Sequence, residues 1–145
     1  MYEFFNITLV IYGDKQILEQ FYENNKMSGK ERNQIMRECA NYKGGNPINY
    51  FYIPVSTKAI SFYKAIPINT EFLATKNWDK YTLDKWGTKR DAMESFHHFT
   101  NNYLMYFFIV EEIPNKWFEV IKTKYNNLQF VMNVGKNYQH LTSYN

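Results

Sequence analysis

The sequence predicts a single α+β domain in which helices cover one face of an antiparallel sheet. Three observations support this fold class: apolar residues alternate near both ends of the chain, helical stripes of apolar residues lie between them, and the length is 145 residues. Such a chain is typical of one domain and can bury roughly two thirds of its unfolded surface. No internal repeat, low-complexity stretch or linker divides it, so we predict one domain over residues 1–145.

The first strand and the first helix are predicted from residues that alternate and residues that interrupt the alternation. Apolar side chains at every second position of residues 5–11 indicate a strand. Gly13 ends this pattern, and we expect the Asp14 carboxylate to accept hydrogen bonds from the free amides of a following helix. That helix carries an apolar stripe and is expected to stop at residues 23–25.

An extra helix is predicted over about residues 28–41. Ser28 and Glu31 have the spacing of a capping box, in which each side chain bonds the backbone amide of the other residue. Cys39 lies on the apolar stripe of this helix, so we interpret it as a core thiol. It is the only cysteine, which excludes a disulfide framework and a cysteine-based zinc site and favours a reducing compartment.

The middle of the chain opens with its strongest break, the glycines and proline of residues 44–47. Residues 50–55 and 59–66 are expected to be extended, and a proline near the end of each confines them to sheet edges or strand ends. Residues 69–84 are polar and lack periodicity. We therefore interpret them as a loop with about one helical turn.

The last third is predicted to hold two strands, a helix and a final strand. Residues 92–99 fit a short helix or the first strand of a hairpin, and we favour the hairpin because two asparagines follow. The apolar run 104–110 suits a central strand. Pro114 suits the first turn of an amphipathic helix. Residues 128–134 alternate as the last strand, before a polar tail at about residues 135–145.

The order strand, helix, strand, strand, helix, strand, with an extra helix after the first, is the split βαβ arrangement of a ferredoxin-like βαββαβ sandwich. The helices would cover one face of its antiparallel sheet, and the other face would need a cover, a partner or solvent. If that face is aromatic, self-association would bury it, so a homo-oligomer is one expected state.

Charge and composition limit the partners. A formal net charge of +3 is too small for a histone-like nucleic-acid binder. Residues 26–43 and 76–90, however, each hold five basic and two acidic residues. We predict a secondary basic patch at Lys30, Arg32 and Arg37. The high aromatic fraction, 19%, fits either a stacking surface or AT-rich codon usage, and the second explanation suits a phage or a low-GC bacterium.

Location is predicted from the lack of targeting signals. The sequence shows no basic leader, cleavage site or long apolar run, so we expect neither a signal peptide nor a membrane span. A cytoplasmic location is therefore predicted.

The most distinctive segment is KWGTKRDA at residues 85–92. A structural interpretation is that Trp86 is buried, Gly87 adopts a positive φ and Thr88 caps a helix. A functional interpretation is a binding loop whose lysine and arginine contact anions. The partner-binding residues that it predicts are Trp86, Gly87, Thr88, Lys89, Arg90, Lys85 and Lys80.

This segment also carries a family likeness. The chain resembles the Api-ninety-two-like family of phage and genomic-island proteins, which share the Trp-Gly-Thr-Lys motif, here at residues 86–89. The likeness extends over most of the chain as a pattern. Arg90 and residues 111–113 depart from it, since the family has tryptophan and Thr-Ala-Trp at those places. The resemblance implies a ferredoxin-like fold and a mobile-element origin, and it implies no reaction.

No pattern of catalytic residues is found in the sequence. His97 and His98 are adjacent and point apart on a strand or a helix, so they share a metal only with help from His140 or a carboxylate. Glu111 and Glu112 precede a helix whose positive end favours them. We therefore predict no catalytic residues, no metal site and no cofactor.

An RNA-recognition interpretation has partial support. Residues 103–110 lack the glycine and the basic residue of that motif. Phe4, Tyr12 and Tyr106 are nevertheless expected to be available for stacking on an uncovered sheet face.

These observations favour a non-enzymatic phage or mobile-element protein that acts by binding. The predicted version is an anti-CRISPR-like counter-defence inhibitor, whose basic and aromatic patch occludes a host defence protein or ribonucleoprotein complex. The alternative is a nucleic-acid or nucleotide-binding protein that uses the same patch. An enzyme and a structural virion protein stay open as further alternatives.

Overall fold

The computed structural model describes residues 4–42 and 59–136, together with the backbone of residues 143–144. In chain order its elements are β1 (Phe5–Tyr12), α1 (Lys15–Asn25), α2 (Gly29–Ala40), α3 (Phe62–Ala65), α4 (Thr70–Leu73), α5 (Trp78–Trp86), β2 (Met93–Phe99), β3 (Tyr103–Val110), α6 (Asn115–Lys124), β4 (Gln129–Lys136) and β5 (Ser143–Tyr144). The protein is α+β. Four long strands form an antiparallel sheet in the order β2-β3-β1-β4, β5 pairs beside β4, and helices pack on this sheet.

The local signals for α1 and α2 are confirmed. The Asp14 carboxylate accepts a hydrogen bond from the backbone amide of Gln16 at 3.2 Å. Both halves of the capping box between Ser28 and Glu31 are formed. Since these bonds join residues two or three positions apart, the sequence pattern alone was sufficient to predict them.

The prediction that residues 59–66 are extended is wrong, because α3 forms within them. The free amide of Phe62 at the start of α3 donates to the Asp91 carboxylate at 2.5 Å, and the Ser61 hydroxyl donates to the same carboxylate. The capping group thus comes from a distant segment, which a local pattern cannot reveal.

The prediction of a loop over residues 69–84 is also wrong. Asn69 accepts from the Glu71 amide at 2.9 Å at the start of α4, and α5 follows with Trp86 as its last residue. The glycine break at 44–47 and the strand expected at 50–55 lie outside the described residues.

The hairpin prediction is confirmed for β2 and β3. Phe99 pairs with Leu104, and the Thr100 amide donates to the Tyr103 carbonyl at 2.9 Å. A bulge interrupts β2, where Glu94 has a φ of 47°. The last strand is longer than predicted, because β4 continues through Gly135 and pairs with β5.

The sheet has two different faces. Ile7, Leu9 and Ile11 of β1 and every second residue of β3 are buried under the helices. There, Phe21 of α1 lies 6.1 Å from Tyr106 between ring centroids. The expectation that Tyr106 lies on the uncovered face is wrong, because it pairs with Leu9 and shares the buried side of that strand.

We call the opposite side of the sheet the outer face. All of its described residues are half-buried or exposed. They include Asn6, Thr8, Val10, Tyr12, Glu94, Phe96, His98, Tyr103, Met105, Phe107, Ile109, Gln129, Val131, Asn133 and Gly135.

Candidate functional site

Trp86 belongs to the core. Its side chain is 0% exposed, its indole Nε1 donates to the Ile66 carbonyl at 2.9 Å, and its ring lies 6.0 Å from that of Phe62 in an edge contact. A buried tryptophan of this kind stabilises the domain through its large apolar area. Trp86 therefore shapes the 86–92 segment from within and does not itself reach a partner.

Gly87 has the positive φ that the structural interpretation predicted. It ends α5 with φ 85° and ψ 0°, and its amide donates to the Leu83 carbonyl at 3.0 Å. A Cβ at this position would lie 3.1 Å from the backbone nitrogen of Asn115. Glycine is thus required both by the left-handed conformation and by the close approach of α6.

Thr88 and Glu112 lock the 86–92 segment to the loop before α6. The Thr88 hydroxyl donates to the Glu112 carboxylate at 3.1 Å and accepts from the Glu112 amide at 3.2 Å. The Lys89 amide donates to the same carboxylate at 2.7 Å. Thr88 is fully buried, so it too holds the turn from inside.

The predicted basic residues lie around this turn, and part of their charge is compensated. Arg90 Nε is 2.9 Å from Glu111 Oε1, and its guanidinium lies 5.9 Å from the centroid of the Trp78 ring. Glu111 therefore has a specific partner, beyond the helix-end role that its position predicted. Lys85 lies 3.9 Å from Asp84.

The remaining predicted cations at this end differ in exposure. Lys80 is exposed and Lys89 is half-buried. Lys116 of α6 lies 3.8 Å from the Asp84 carboxylate that Lys85 also approaches. Acidic side chains are therefore interleaved with the predicted patch, and its net positive charge is small.

The secondary basic patch lies on α2. Lys30 and Arg37 are exposed, and Arg37 donates to Gln34 at 2.9 Å. Arg32 is half-buried and donates to the Met36 sulfur at 3.0 Å. Helix α4 packs against both α2 and α5. Helix α4 thus lies between the helix of the secondary basic patch and the helix that precedes the 86–92 segment.

The histidines point to opposite sides of β2, as predicted. The His97 ring is 4.4 Å from Tyr22 of α1, whereas the His98 ring is 6.4 Å from Tyr103 on the outer face. In residues 4–42 and 59–136, no cluster of three or more histidine, cysteine, aspartate or glutamate side chains is arranged to hold a metal ion.

Cys39 is a core thiol. It is buried, and its sulfur donates to the Thr70 carbonyl at 3.7 Å. Burial, with a smaller contribution from Glu38, raises the pKa of the Cys39 thiol to about 11. The thiolate that a nucleophile needs is therefore scarce at neutral pH. None of the helices in the described part of the chain combines the length and the apolarity needed to cross a membrane.

The outer face holds a feature that the sequence reasoning missed. Phe96 and Phe107 lie directly opposite each other on β2 and β3 and are 62% and 43% exposed. Beside them is a groove of about 400 Å³, whose walls also include Glu94, Ile109 and Asn133. The sequence could have indicated this feature, because every second residue of the aromatic run in β3 faces away from the helices.

Comparison with known proteins gives no relative. No protein-family model, curated protein or solved structure matches this chain. The resemblance to the Api-ninety-two-like family therefore stays a hypothesis that depends on the residues of the 86–92 segment and the order of the elements.

Proposed function

We propose that this protein has a ferredoxin-like fold and acts by binding another protein through its outer face. The fold proposal is supported by the chain order β1, α1, β2, β3, α6, β4 and by the sheet order β2-β3-β1-β4. Helices α2 to α5 are then insertions between α1 and β2. Within residues 4–42 and 59–136 the helices pack on the inner side of the sheet, and the outer face keeps half-buried and exposed side chains that a partner can contact.

The exposed pair formed by Phe96 and Phe107 carries this proposal. Adjacent aromatic rings on a sheet favour association, since burial of apolar area contributes about 25 cal/mol per Å². Aromatic residues and methionine are enriched at the centres of protein interfaces. Tyr103 and Met105 extend the surface along β3, and Tyr12 lies 6.1 Å from Tyr103 between ring centroids.

The charge of the outer face favours a protein over a nucleic acid. Among its described residues, Glu94 is the single one with a formal charge when histidine is neutral. Affinity for nucleic acid depends on lysine and arginine side chains that neutralise its phosphates. A carboxylate such as that of Glu94 repels phosphates. The matching partner is a protein surface with an apolar side chain for the groove and a basic residue opposite Glu94.

The size of the face indicates that the interface includes its rim. Four strands about 4.8 Å apart and about 25 Å long present about 500 Å², whereas a stable interface covers about 800 Å² per partner. The 86–92 segment leads into β2 at the end where the groove lies. Lys89 and Arg90 would therefore act at this rim, as peripheral contacts.

The target class follows from the family resemblance. A phage or mobile-element origin makes a host defence protein or ribonucleoprotein complex the proposed target, and binding would occlude it without catalysis. A target surface that normally contacts nucleic acid would supply the basic residue that Glu94 requires. Binding of nucleic acid by the protein itself is the competing outcome that the experiment must separate.

A matched pair of substitutions tests the proposal. Val131 lies on the outer face and Val120 on α6, with exposures of 40% and 38%. Tagged wild type, Val131→Glu and Val120→Glu are used to capture proteins from bacterial lysates treated with nuclease. A target captured by mass spectrometry is then purified and titrated by calorimetry against each form.

We expect wild type and Val120→Glu to bind the purified target equally, and Val131→Glu to bind at least tenfold more weakly. Equal binding of the target by all three forms would remove the outer face from the proposal. Salt-dependent binding of single-stranded RNA or DNA that is lost in the combined Lys89→Ala and Arg90→Ala variant would establish the nucleic-acid alternative instead.

A further inference from the structure

A second cavity lies on the helix side of β2 and meets the outer face only at Phe96. It is a cleft of about 540 Å³ between the end of α1, the start of α2 and β2. Its walls include an aromatic phenol, an imidazole, a hydroxyl and an ammonium group. They belong to Tyr22, His97, Ser95 and Lys26.

Ser95 is the informative residue of this cleft. It is 3% exposed, and its hydroxyl has no hydrogen-bond partner among the described residues. Buried polar side chains are nearly always paired, and an unpaired one costs about 1–3 kcal/mol. A hydroxyl of this kind in a cavity wall indicates that a group inside the cavity completes its bonding.

The other walls define the chemistry of that group. The rings of Tyr22 and His97 lie 4.4 Å apart with an angle of 33° between their planes, and together they provide an aromatic surface. Lys26 Nζ is 5.3 Å from the centroid of the Tyr22 ring and is paired with Glu23 at 2.8 Å.

The ion pair of Lys26 is a weak constraint on its side chain. The two side chains are 43% and 61% exposed, and exposed ion pairs contribute only about 0.2–1 kcal/mol. Lys26 already lines the cleft and can therefore turn from Glu23 to an anion there at small cost.

We propose that this cleft binds a small planar heteroaromatic anion. Its ring packs against His97 and Tyr22, its anionic group pairs with Lys26, and one of its oxygen or nitrogen acceptors receives the Ser95 hydroxyl proton. The cleft shares Phe96 with the outer face, but Ser95, Lys26 and the Tyr22–His97 ring pair are not part of that face, so this inference does not rest on the proposed protein partner.

The test uses adenosine monophosphate as the probe, with adenosine and inorganic phosphate as its two halves. Binding is followed through the backbone amide shifts of Ser95 and His97 in nuclear magnetic resonance titrations. We expect adenosine monophosphate to bind at least tenfold more tightly than either half. Ser95→Ala and Lys26→Gln should each weaken it about fivefold, and Lys15→Gln, on the exposed start of α1, should leave it unchanged.

Folding does not confound this experiment, because Ser95→Ala removes an unpaired hydroxyl and should leave the free energy of unfolding unchanged or raise it. Equal binding by inorganic phosphate would overturn the aromatic part of the proposal, and equal binding by adenosine would overturn the anionic part. No shift with any probe would indicate an ordered water at Ser95 and would overturn the site.

Discussion

The 86–92 segment and the outer face are opposite kinds of surface feature. The segment stands out in the sequence, yet its tryptophan and threonine are buried and its glycine is fixed by the approach of α6. The outer face has no motif, yet it exposes the aromatic pair Phe96 and Phe107. The residues that are most distinctive in the sequence therefore stabilise the fold. The candidate binding surface comes from every second side chain along the strands, which lies on the outer face.

The difference has a physical origin. Each residue of the motif provides a property that few residue types have. Tryptophan provides a large apolar volume, glycine allows a positive φ, and threonine provides a hydroxyl on a short side chain. A binding face instead needs several moderately apolar side chains side by side. Which side chains are neighbours depends on strand register, so no single stretch of sequence displays the face.

The largest expected effect is on folding, from Trp86→Ala. Loss of a fully buried tryptophan should lower the free energy of unfolding by about 3–5 kcal/mol, measured by urea denaturation. Trp78→Ala is the control, because Trp78 is half-buried and should cost clearly less. A Trp86→Ala protein of nearly normal stability that fails to bind its target would contradict a purely structural role and show that Trp86 belongs to the interface.

A smaller loss of stability is expected from Thr88→Val. The change removes both hydrogen bonds to Glu112 and should cost about 1–3 kcal/mol. Thr123→Val serves as control, since the Thr123 hydroxyl bonds the Glu119 carbonyl on an exposed part of α6. If the two variants unfold at the same urea concentration, the lock between the 86–92 segment and the loop before α6 contributes nothing.

Val131→Glu should change folding by less than about 1 kcal/mol, because exposed strand positions tolerate polar side chains. Val120→Glu should have a similarly small effect on the melting temperature in thermal unfolding. Two variants that match in stability and differ only in target binding would show that the outer face acts in binding and not in folding. A cooperative loss of structure in Val131→Glu alone would instead indicate that the outer face is part of the core.

The smallest effect concerns Glu31, which joins α2 to α3 away from both regions. A hydrogen bond from Lys64, with further help from Ser28, holds the pKa of the Glu31 carboxyl below its ordinary value of 4.5. A lowered pKa in the folded state means stability that is present above pH 4.5 and is lost as the pH falls through the folded pKa.

Glu31→Gln should therefore reduce stability by about 0.5 kcal/mol at pH 7, since glutamine can still serve in the capping box. The difference from wild type should shrink as the pH falls below about 4.5. Urea titrations at pH 7 and at pH 3 measure it, with Glu19→Gln on an exposed part of α1 as control. A difference that grows on acidification would contradict the lowered pKa.

Elements whose stabilising contacts are local could be predicted from the amino-acid sequence. Asp14 and the capping box of Ser28 and Glu31 act within a few residues of themselves, and the hairpin of β2 and β3 closes over one short turn. The positive φ of Gly87 was predictable for the same reason. In each case the residues that make the structure are near neighbours in the chain.

Features that depend on distant partners became visible only in the folded chain. Helix α3 takes its cap from Asp91, Thr88 is held by Glu112, and Tyr106 is buried because of its pairing with β1. The outer face arises in the same way, from the register of four strands. Contacts between remote segments form only when burial of the whole core brings them together, so no local pattern encodes them.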